Sequence, residues 1–431
     1  MKRVTAGHDP LSAFFTTPYP LIATPSPSPL HYPLTANHYS LPPMSYKILT
    51  LNNISVRGLE RLPRERYEVA SEIGHPDAIL LRSADMHSME IPQSVLAIAR
   101  AGSGTNNIPV AKLSRRGIPV FNAPGANANA VKELVLAGLF LAARNICQAW
   151  GFVRSLEGDD HAIEGAIEKG KKKFVGHELP ARTLGVVGLG AIGVEVANAA
   201  LALGMKVLGY DPQITVQRAW QLSSGVEQAL SLDDLFARSD IITVHVPLND
   251  ATRGLVNEAR IRLMRRGSSV LNFARAQIVD EAAVLAGLEQ GQLSTYVCDF
   301  PTRAVKDHPN VVALPHLGAS TGEAEENCAI MAADTLRDYL ENGNVRNSVN
   351  FPEAVLPRIG ENRIAISNDN VPNMVGQIST CLADAKLNIA DLLNKSRGDL
   401  AYTLIDTDAP ILPEVLERLR GIEGVLGARL L

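Results

Sequence analysis

Arg275 and His316 occupy the two stretches of this sequence best equipped for chemistry. Arg275 lies in Asn272-Phe-Ala-Arg-Ala276, just past one apolar run, and His316 lies in Leu314-Pro-His-Leu-Gly-Ala-Ser-Thr321, just past another. An arginine grips a carboxylate through two parallel hydrogen bonds. A histidine titrates near neutrality and suits proton transfer. One anchors an alcohol-bearing acid and the other takes its hydroxyl proton as a hydride leaves, so a hydride acceptor is needed beside them. Gly188-Leu-Gly-Ala-Ile-Gly193 offers the place for one.

The elements around that glycine turn make the reading specific. A short apolar run over residues 184–187 reads as a buried strand, and an alanine-rich helix follows to residue 203. A second strand over 206–210 ends on Asp211, 23 residues after Gly188. Strand, glycine turn, helix, strand and terminal acid are the parts of a dinucleotide-binding βαβ unit. Gly188 allows the tight turn, Gly190 lets backbone approach a pyrophosphate, and Gly193 lets helix and strand pack closely. The helix start, Ala191 and Ile192, then turns N–H groups and the helix dipole toward the phosphates. Asp211 accepts hydrogen bonds from an adenosine ribose and repels a 2′-phosphate, so NAD is expected rather than NADP.

Composition sets bounds on the rest. The chain has 431 residues, 46% hydrophobic and 20% charged, with a net charge of −4. It suits a soluble globular protein of several domains, with no nucleic-acid footprint and no apolar run long enough for a membrane span. Cys147, Cys298, Cys328 and Cys381 are widely spaced. They form no metal-ligand cluster and read as reduced thiols of the cytoplasm.

Taken in order, residues 1–43 hold nine of the 26 prolines without helical or strand period. They are expected to be a disordered leader, or translation starts at Met44. Strands are expected at 47–51, 78–82, 95–100 and 119–121, and an apolar helix at 129–143, giving a first α/β domain over 44–143. Residues 158–179, with the basic triplet at 171–173, read as a charged, loop-like solvated face. The dinucleotide domain, 144–320, continues with strands at 241–246, 269–273, 295–299 and 311–314, which predicts a doubly wound parallel sheet. A helix over 321–342 is expected to return to the first domain, and 346–360 to be a linker. Residues 361–431 follow a βαββαβ order, the pattern of a ferredoxin-like module.

The glycine motif with Asp211, Val246-Pro247, and the stretches around Arg275 and His316 resemble the D-2-hydroxyacid dehydrogenase family. The segment from Arg363 through Asp391 resembles an ACT domain, an amino-acid-sensing module. The resemblance covers Met44 to Leu431. It implies that Arg275 orients the substrate and His316 is the general acid/base. Gly188, Gly190, Ala191, Ile192, Gly193, Asp211, Val246, Pro247, Asp299 and Gly318 would hold NAD, with Asp299 at the nicotinamide carboxamide. Arg82, Ser83, Gly102, Ser103, Gly104 and Asn106 match loops that hold the substrate's acid end and phosphate. The fold implied is a flavodoxin-like α/β substrate domain beside the NAD-binding domain. His245 reads as a structural histidine.

The ACT-like module narrows the implied activity to NAD-dependent oxidation of D-3-phosphoglycerate, the opening step of L-serine biosynthesis. The alternatives are a dehydrogenase for another D-2-hydroxy acid, or an NAD-sensing protein without turnover. The module also implies a homodimer or homotetramer, and L-serine as an effector contacted by Asn388. Ser367 stands where some relatives have a histidine. A second departure touches the chemistry: Arg303 stands where the family places a glutamate that pairs with the histidine. Either this subgroup dispenses with the pair, or another acid such as Asp307 reaches in.

Overall fold

The computed structural model describes residues 45–431. The leader expected at 1–43, and Met44, lie outside the described residues. The first sheet is built from β1 (Tyr46–Leu51), β2 (Tyr67–Ala70), β3 (Ala78–Leu81), β4 (Ala97–Arg100) and β5 (Val120–Phe121). Its order is β2-β1-β3-β4-β5 with every pair parallel, the flavodoxin-like arrangement. The strand β2 is an addition to the expectation: four residues with one side wet carry too little apolar signal to stand out.

The second sheet contains β6 (Thr183–Val187), β7 (Lys206–Tyr210), β8 (Val226–Gln228), β9 (Ile241–Val244), β10 (Ser268–Asn272), β11 (Leu293–Cys298) and β12 (Val311–Ala313). All neighbours are parallel in the order β12-β11-β10-β9-β6-β7-β8, which is the doubly wound topology. Helices on both faces bury the sheet, so β6, β9 and β10 are apolar or small throughout.

Two expectations need correction. The helix Ala128–Arg144 packs with the second sheet, not the first: Val131, Val135 and Leu139 share a core with Leu184, Val186 and Leu271. Its apolar stripe finds the larger sheet across the domain crossing. The stretch 158–179 is not loop-like, because Asp160–Gly170 is a helix, followed by a 3-10 turn at Lys171–Phe174. The Asp159 carboxylate accepts from the Ala162 N–H at 2.9 Å and caps its start. Surface charge had hidden a capped helix.

The helix Gly322–Asn342 does return to the first domain. The Thr321 side chain caps it, Glu323 and Glu325 suit its positive end, and Gly343 leaves it at φ 73°. Cys328, Ala329, Ala332 and Leu336 pack against Ile48, Ala97 and Phe121. Residues 346–360 are more than a linker, since Phe351, Ala354 and Leu356 are buried in the same core.

The C-terminal sheet holds β13 (Arg363–Asp369), β14 (Ile389–Arg397), β15 (Leu400–Thr407) and β16 (Val425–Leu430). It is antiparallel in the order β14-β15-β13-β16, with helices Met374–Asp384 and Pro413–Arg420 supplying its other layer. This is the ferredoxin-like order, and the antiparallel sheet is compatible with an ACT domain.

The module is anchored by polar contacts at the end of the Gly322–Asn342 helix, where carbonyls lack helical partners. Arg429 donates to the carbonyls of Tyr339 and Leu340, Arg358 to Glu341, Arg363 to Asn342, and the Tyr402 hydroxyl to Gly343. Arg363 is fully buried and also grips Asp406 through two bonds of 2.5 and 2.8 Å. Its remaining donors reach the Leu356 and Pro357 carbonyls. No helix among the described residues is long and apolar enough to cross a membrane.

Candidate active site

A parallel sheet sends all its strands' carboxyl ends to one edge, and this chain collects its polar side chains there. At the second sheet the glycine turn joins β6 to the helix Ala191–Ala202. Gly188 has φ +90°, and a Cβ there would lie 2.8 Å from the His245 carbonyl and from Val246 Cγ1. On Gly193 a Cβ would fall 1.9 Å from the Gly188 carbonyl oxygen. Gly190 differs: nothing lies within 4 Å of where its Cβ would be. Two glycines are therefore required by the protein's own packing, while the third faces open space at a helix N-terminus. Such a cradle fits a dinucleotide's pyrophosphate.

Asp211 closes the turn. Its carboxylate accepts from the Leu189 N–H at 2.8 Å and the Gln213 N–H at 2.9 Å. Ala191 begins the helix, where a Cβ on Gly125 would lie 2.8 Å from its own Cβ. Ile192 is half-buried against the helix-side core. The Pro247 carbonyl accepts from the Thr252 hydroxyl at 2.6 Å, which fixes the 246–252 turn. His245 is bonded to Thr243 Oγ1 at 2.9 Å, and burial pushes its pKa down to about 4. It is neutral at physiological pH, as a structural histidine would be.

Asp299 follows β11 and is 1% exposed. Its Oδ2 accepts from the Gly318 N–H at 3.2 Å, while Oδ1 is buried without a hydrogen-bond partner among the described residues. Burial raises its pKa, against the lowering influence of His316 and of the Gly318 N–H. A buried carboxylate oxygen lacking a donor costs stability unless a ligand supplies one. An amide N–H donor, such as a nicotinamide carboxamide carries, fits that oxygen.

The other half of the site faces these residues. Asn272, buried at the end of β10, donates to the Arg275 carbonyl at 3.0 Å and accepts from the Ala274 N–H at 3.1 Å. That turn presents Arg275 toward the first domain, where a Cβ on Gly104 would lie 3.0 Å from Nη2. From β4, Arg100 donates to the carbonyls of Arg82 and Gly104. Its pKa is lowered by burial and then by the charges of Arg275 and Arg82. Arg82 pairs with Glu325 at 2.6 Å. Backbone bonds brace the loops: Asn52 accepts from Ser83 N–H, Asn122 donates to the Ser103 carbonyl, and His87 bonds the Asn106 carbonyl.

His316 is exposed just beyond β12. Phe300 packs against both it and Arg275, 4.3 Å from the imidazole centroid and 5.4 Å from the guanidinium carbon. Arg303 is exposed, and Asp307 is exposed and paired with Lys306. Asp299 lies close enough to His316 for the imidazole to lower its pKa against the effect of burial. Sequence reasoning missed Arg100 and Phe300. An arginine ending a buried apolar strand, directly before Gly102-Ser-Gly104, was a usable signal for the first. Phe300 carried none, because its role depends on the meeting of two loops.

In the C-terminal module Asn388 is exposed, with its backbone N–H bonded to Asp408. A cavity of about 150 Å³ beside the 368–376 loop is lined by Asn370, Asn373 and Asn394, and not by Asn388.

Fold and site together define a dinucleotide-dependent oxidoreductase of the two-domain kind. Residues 136–318 match the family model for the D-isomer specific 2-hydroxyacid dehydrogenase NAD-binding domain. A D-3-phosphoglycerate dehydrogenase of Haemophilus influenzae is 31% identical over 358 residues, covering 80% of this chain and 83% of that protein. One from Methanocaldococcus jannaschii is 33% identical, over 79% of this chain but 63% of its own length. Among solved structures, an NAD+-bound 3-phosphoglycerate dehydrogenase of Entamoeba histolytica superposes with a TM-score of 0.55 at 26% identity, covering 71% of this chain and 99% of its own. The chain belongs to the D-2-hydroxyacid dehydrogenase family, and its cofactor is NAD.

Proposed function

We propose that the chain oxidises D-3-phosphoglycerate to 3-phosphohydroxypyruvate, the first step toward L-serine. The observation that carries this reading is the convergence of Arg82, Arg100 and Arg275 around the 102–104 loop. A simple 2-hydroxy acid presents one negative charge, whereas a phosphorylated one presents a carboxylate and a phosphate. The relatives named above as D-3-phosphoglycerate dehydrogenases support the same assignment.

Arg275 holds the carboxylate and polarises the developing carbonyl. Arg82, Ser83, Asn106 and the Gly102-Ser103-Gly104 backbone hold the phosphate, with Arg100 fixing that loop. The His316 imidazole accepts the hydroxyl proton at a ring nitrogen. NAD, when bound, takes the hydride. The protein holds it with Gly188, Gly190, Ala191, Ile192 and Gly193 at the pyrophosphate and Asp211 at the ribose. Val246, Pro247 and Gly318 would line the site, and the unpaired Asp299 Oδ1 would accept from the carboxamide. Arg303 stands where the family places its glutamate, and Asp299 is the buried carboxylate near His316.

The test is NADH absorbance with purified protein, NAD and D-3-phosphoglycerate. Turnover with this substrate supports the reading. Preferred turnover of an unphosphorylated D-2-hydroxy acid makes the chain another dehydrogenase of the family, and NAD binding without turnover makes it a sensor.

Three features of its biology belong to the same proposal. The C-terminal module, which adds no group to the site, acts as an ACT domain that binds L-serine near Asn388. Falling initial rates with added serine, lost in Asn388→Ala, would support it. The chain self-associates as a homodimer or homotetramer, for which the exposed Ile146, Trp150 and Val153 on one helix supply an apolar face. Sedimentation analysis of Trp150→Glu tests that. It works in the cytoplasm, where its four unpaired cysteines stay reduced.

A further inference from the structure

Between the C-terminal module and the first domain lies a cavity of about 480 Å³. Arg116 reaches it from the first domain, and Arg420 and Arg429 from the module. No aspartate or glutamate among the described residues lines it. Arg116 donates to the carbonyls of Ile91 and Pro92 at 2.9 and 2.8 Å, and Arg420 to that of Ala428 at 3.0 Å. Arg429 donates to the carbonyls that end the Gly322–Asn342 helix. Carbonyl partners orient a guanidinium without cancelling its charge. Only Arg420 has an acid partner, Glu417, in a pair open to solvent. The Arg429 Nε–H is buried with no acceptor among the described residues.

Ser367 and Tyr402 also line the cavity, and Ile118 and Leu426 supply apolar wall. Concentrated positive charge in a partly enclosed space attracts anions more strongly than the same charge on an open surface. The residues differ from those of the active site and from the 368–376 loop. We infer that this cavity is a binding site for a small oxyanion, a carboxylate or a phosphate on a compact body, that bridges the module and the first domain.

Titration calorimetry and thermal melting of the full chain test this with malonate, inorganic phosphate and uncharged malonamide at fixed ionic strength. Arg275→Gln serves as the background, because the active site also attracts oxyanions. Saturable binding of malonate or phosphate with a rise in Tm is expected there, and whichever anion binds identifies the ligand's class. The double variant Arg116→Gln/Arg420→Gln should weaken binding about tenfold or more, the loss of a charged hydrogen-bonding pair of donors. Leu426→Trp, which fills the cavity and keeps every charge, should abolish it. The inference is overturned if neither anion binds the Arg275→Gln chain, if malonamide binds equally, or if a folded Leu426→Trp chain binds as before.

Discussion

The ring of Phe300 sits 4.3 Å from the imidazole of His316, centroid to centroid, at an interplanar angle of 43°. The Arg275 guanidinium carbon lies 5.4 Å from the centroid of the same ring. One aromatic ring thus packs against both the proton acceptor and the carboxylate anchor and fixes their spacing. Phe300→Ala should lower kcat/KM by about 10- to 100-fold, because small misplacements of reacting groups are costly. Steady-state kinetics beside Phe300→Tyr, which keeps the ring, would check it. Equal activity of Phe300→Ala and the parent would remove the spacer role.

Arg275→Lys keeps the charge but not the planar two-bond clamp, so turnover should fall despite the conservative change. His316→Ala should cost about 10²-fold or more in kcat, the usual contribution of a positioned base. Single-turnover measurements separate these effects from product release.

Asp211→Ala should relax the preference for NAD over NADP. The structure adds a second expectation, since the same carboxylate holds the Leu189 and Gln213 N–H groups. The variant should therefore also bind NAD more weakly, as fluorescence titration would read. An unmutated chain using NADP as efficiently as NAD contradicts the premise.

Asp299 is a site where function opposes stability. Burial raises its pKa, so the folded apo chain carries a charged carboxylate at a cost. That cost is present above the folded pKa and is relieved as pH falls toward the ordinary aspartate value of about 3.9. Asp299→Asn should raise the apo Tm at neutral pH, with the gain vanishing in acid. It should also weaken NAD, since one acceptor oxygen is lost. A lower Tm at neutral pH would refute this account.

The Arg363–Asp406 pair behaves in the opposite sense. Burial pushes the Asp406 pKa up, but the hydrogen bonds and charge of Arg363 outweigh it and the net shift is downward. The pair's stabilisation is fully present above about pH 3.9 and is lost as pH falls through the lowered value. Asp406→Asn leaves a buried guanidinium uncompensated, at about 3–5 kcal/mol. Calorimetry should show the C-terminal module melting in a separate, earlier transition.

The elements around the glycine turn were legible because period and chemistry agreed. A fully buried strand, three glycines with distinct tasks and a terminal acid all sit within 30 residues of sequence. The strand-end positions of Arg275 and His316 were legible for the same reason. The short edge strands β2 and β8 were missed because four residues with one side wet, and three largely wet ones, carry too little apolar signal. The helix Asp160–Gly170 was obscured by its charges, although Asp159 was a readable cap. The placement of Ala128–Arg144 on the larger sheet, and the Phe300 contacts, depend on which surfaces meet after the chain has crossed between domains. Local pattern carries no record of that choice.

The anchoring of the C-terminal module bears on how such a chain could ever be trimmed. Cutting after Pro357 would remove Arg358, Arg363, Tyr402 and Arg429 together, and with them side-chain donors to the carbonyls of residues 339–343, at the end of the Gly322–Asn342 helix. The opposite end of that helix starts six residues past His316. A shortened protein that failed to turn over would therefore say nothing about feedback, since its scaffold would have frayed. Point changes on the module's outer surface are the cleaner tool. The module is thus part of the first domain's fold, because its side chains complete the last turn of that domain's helix.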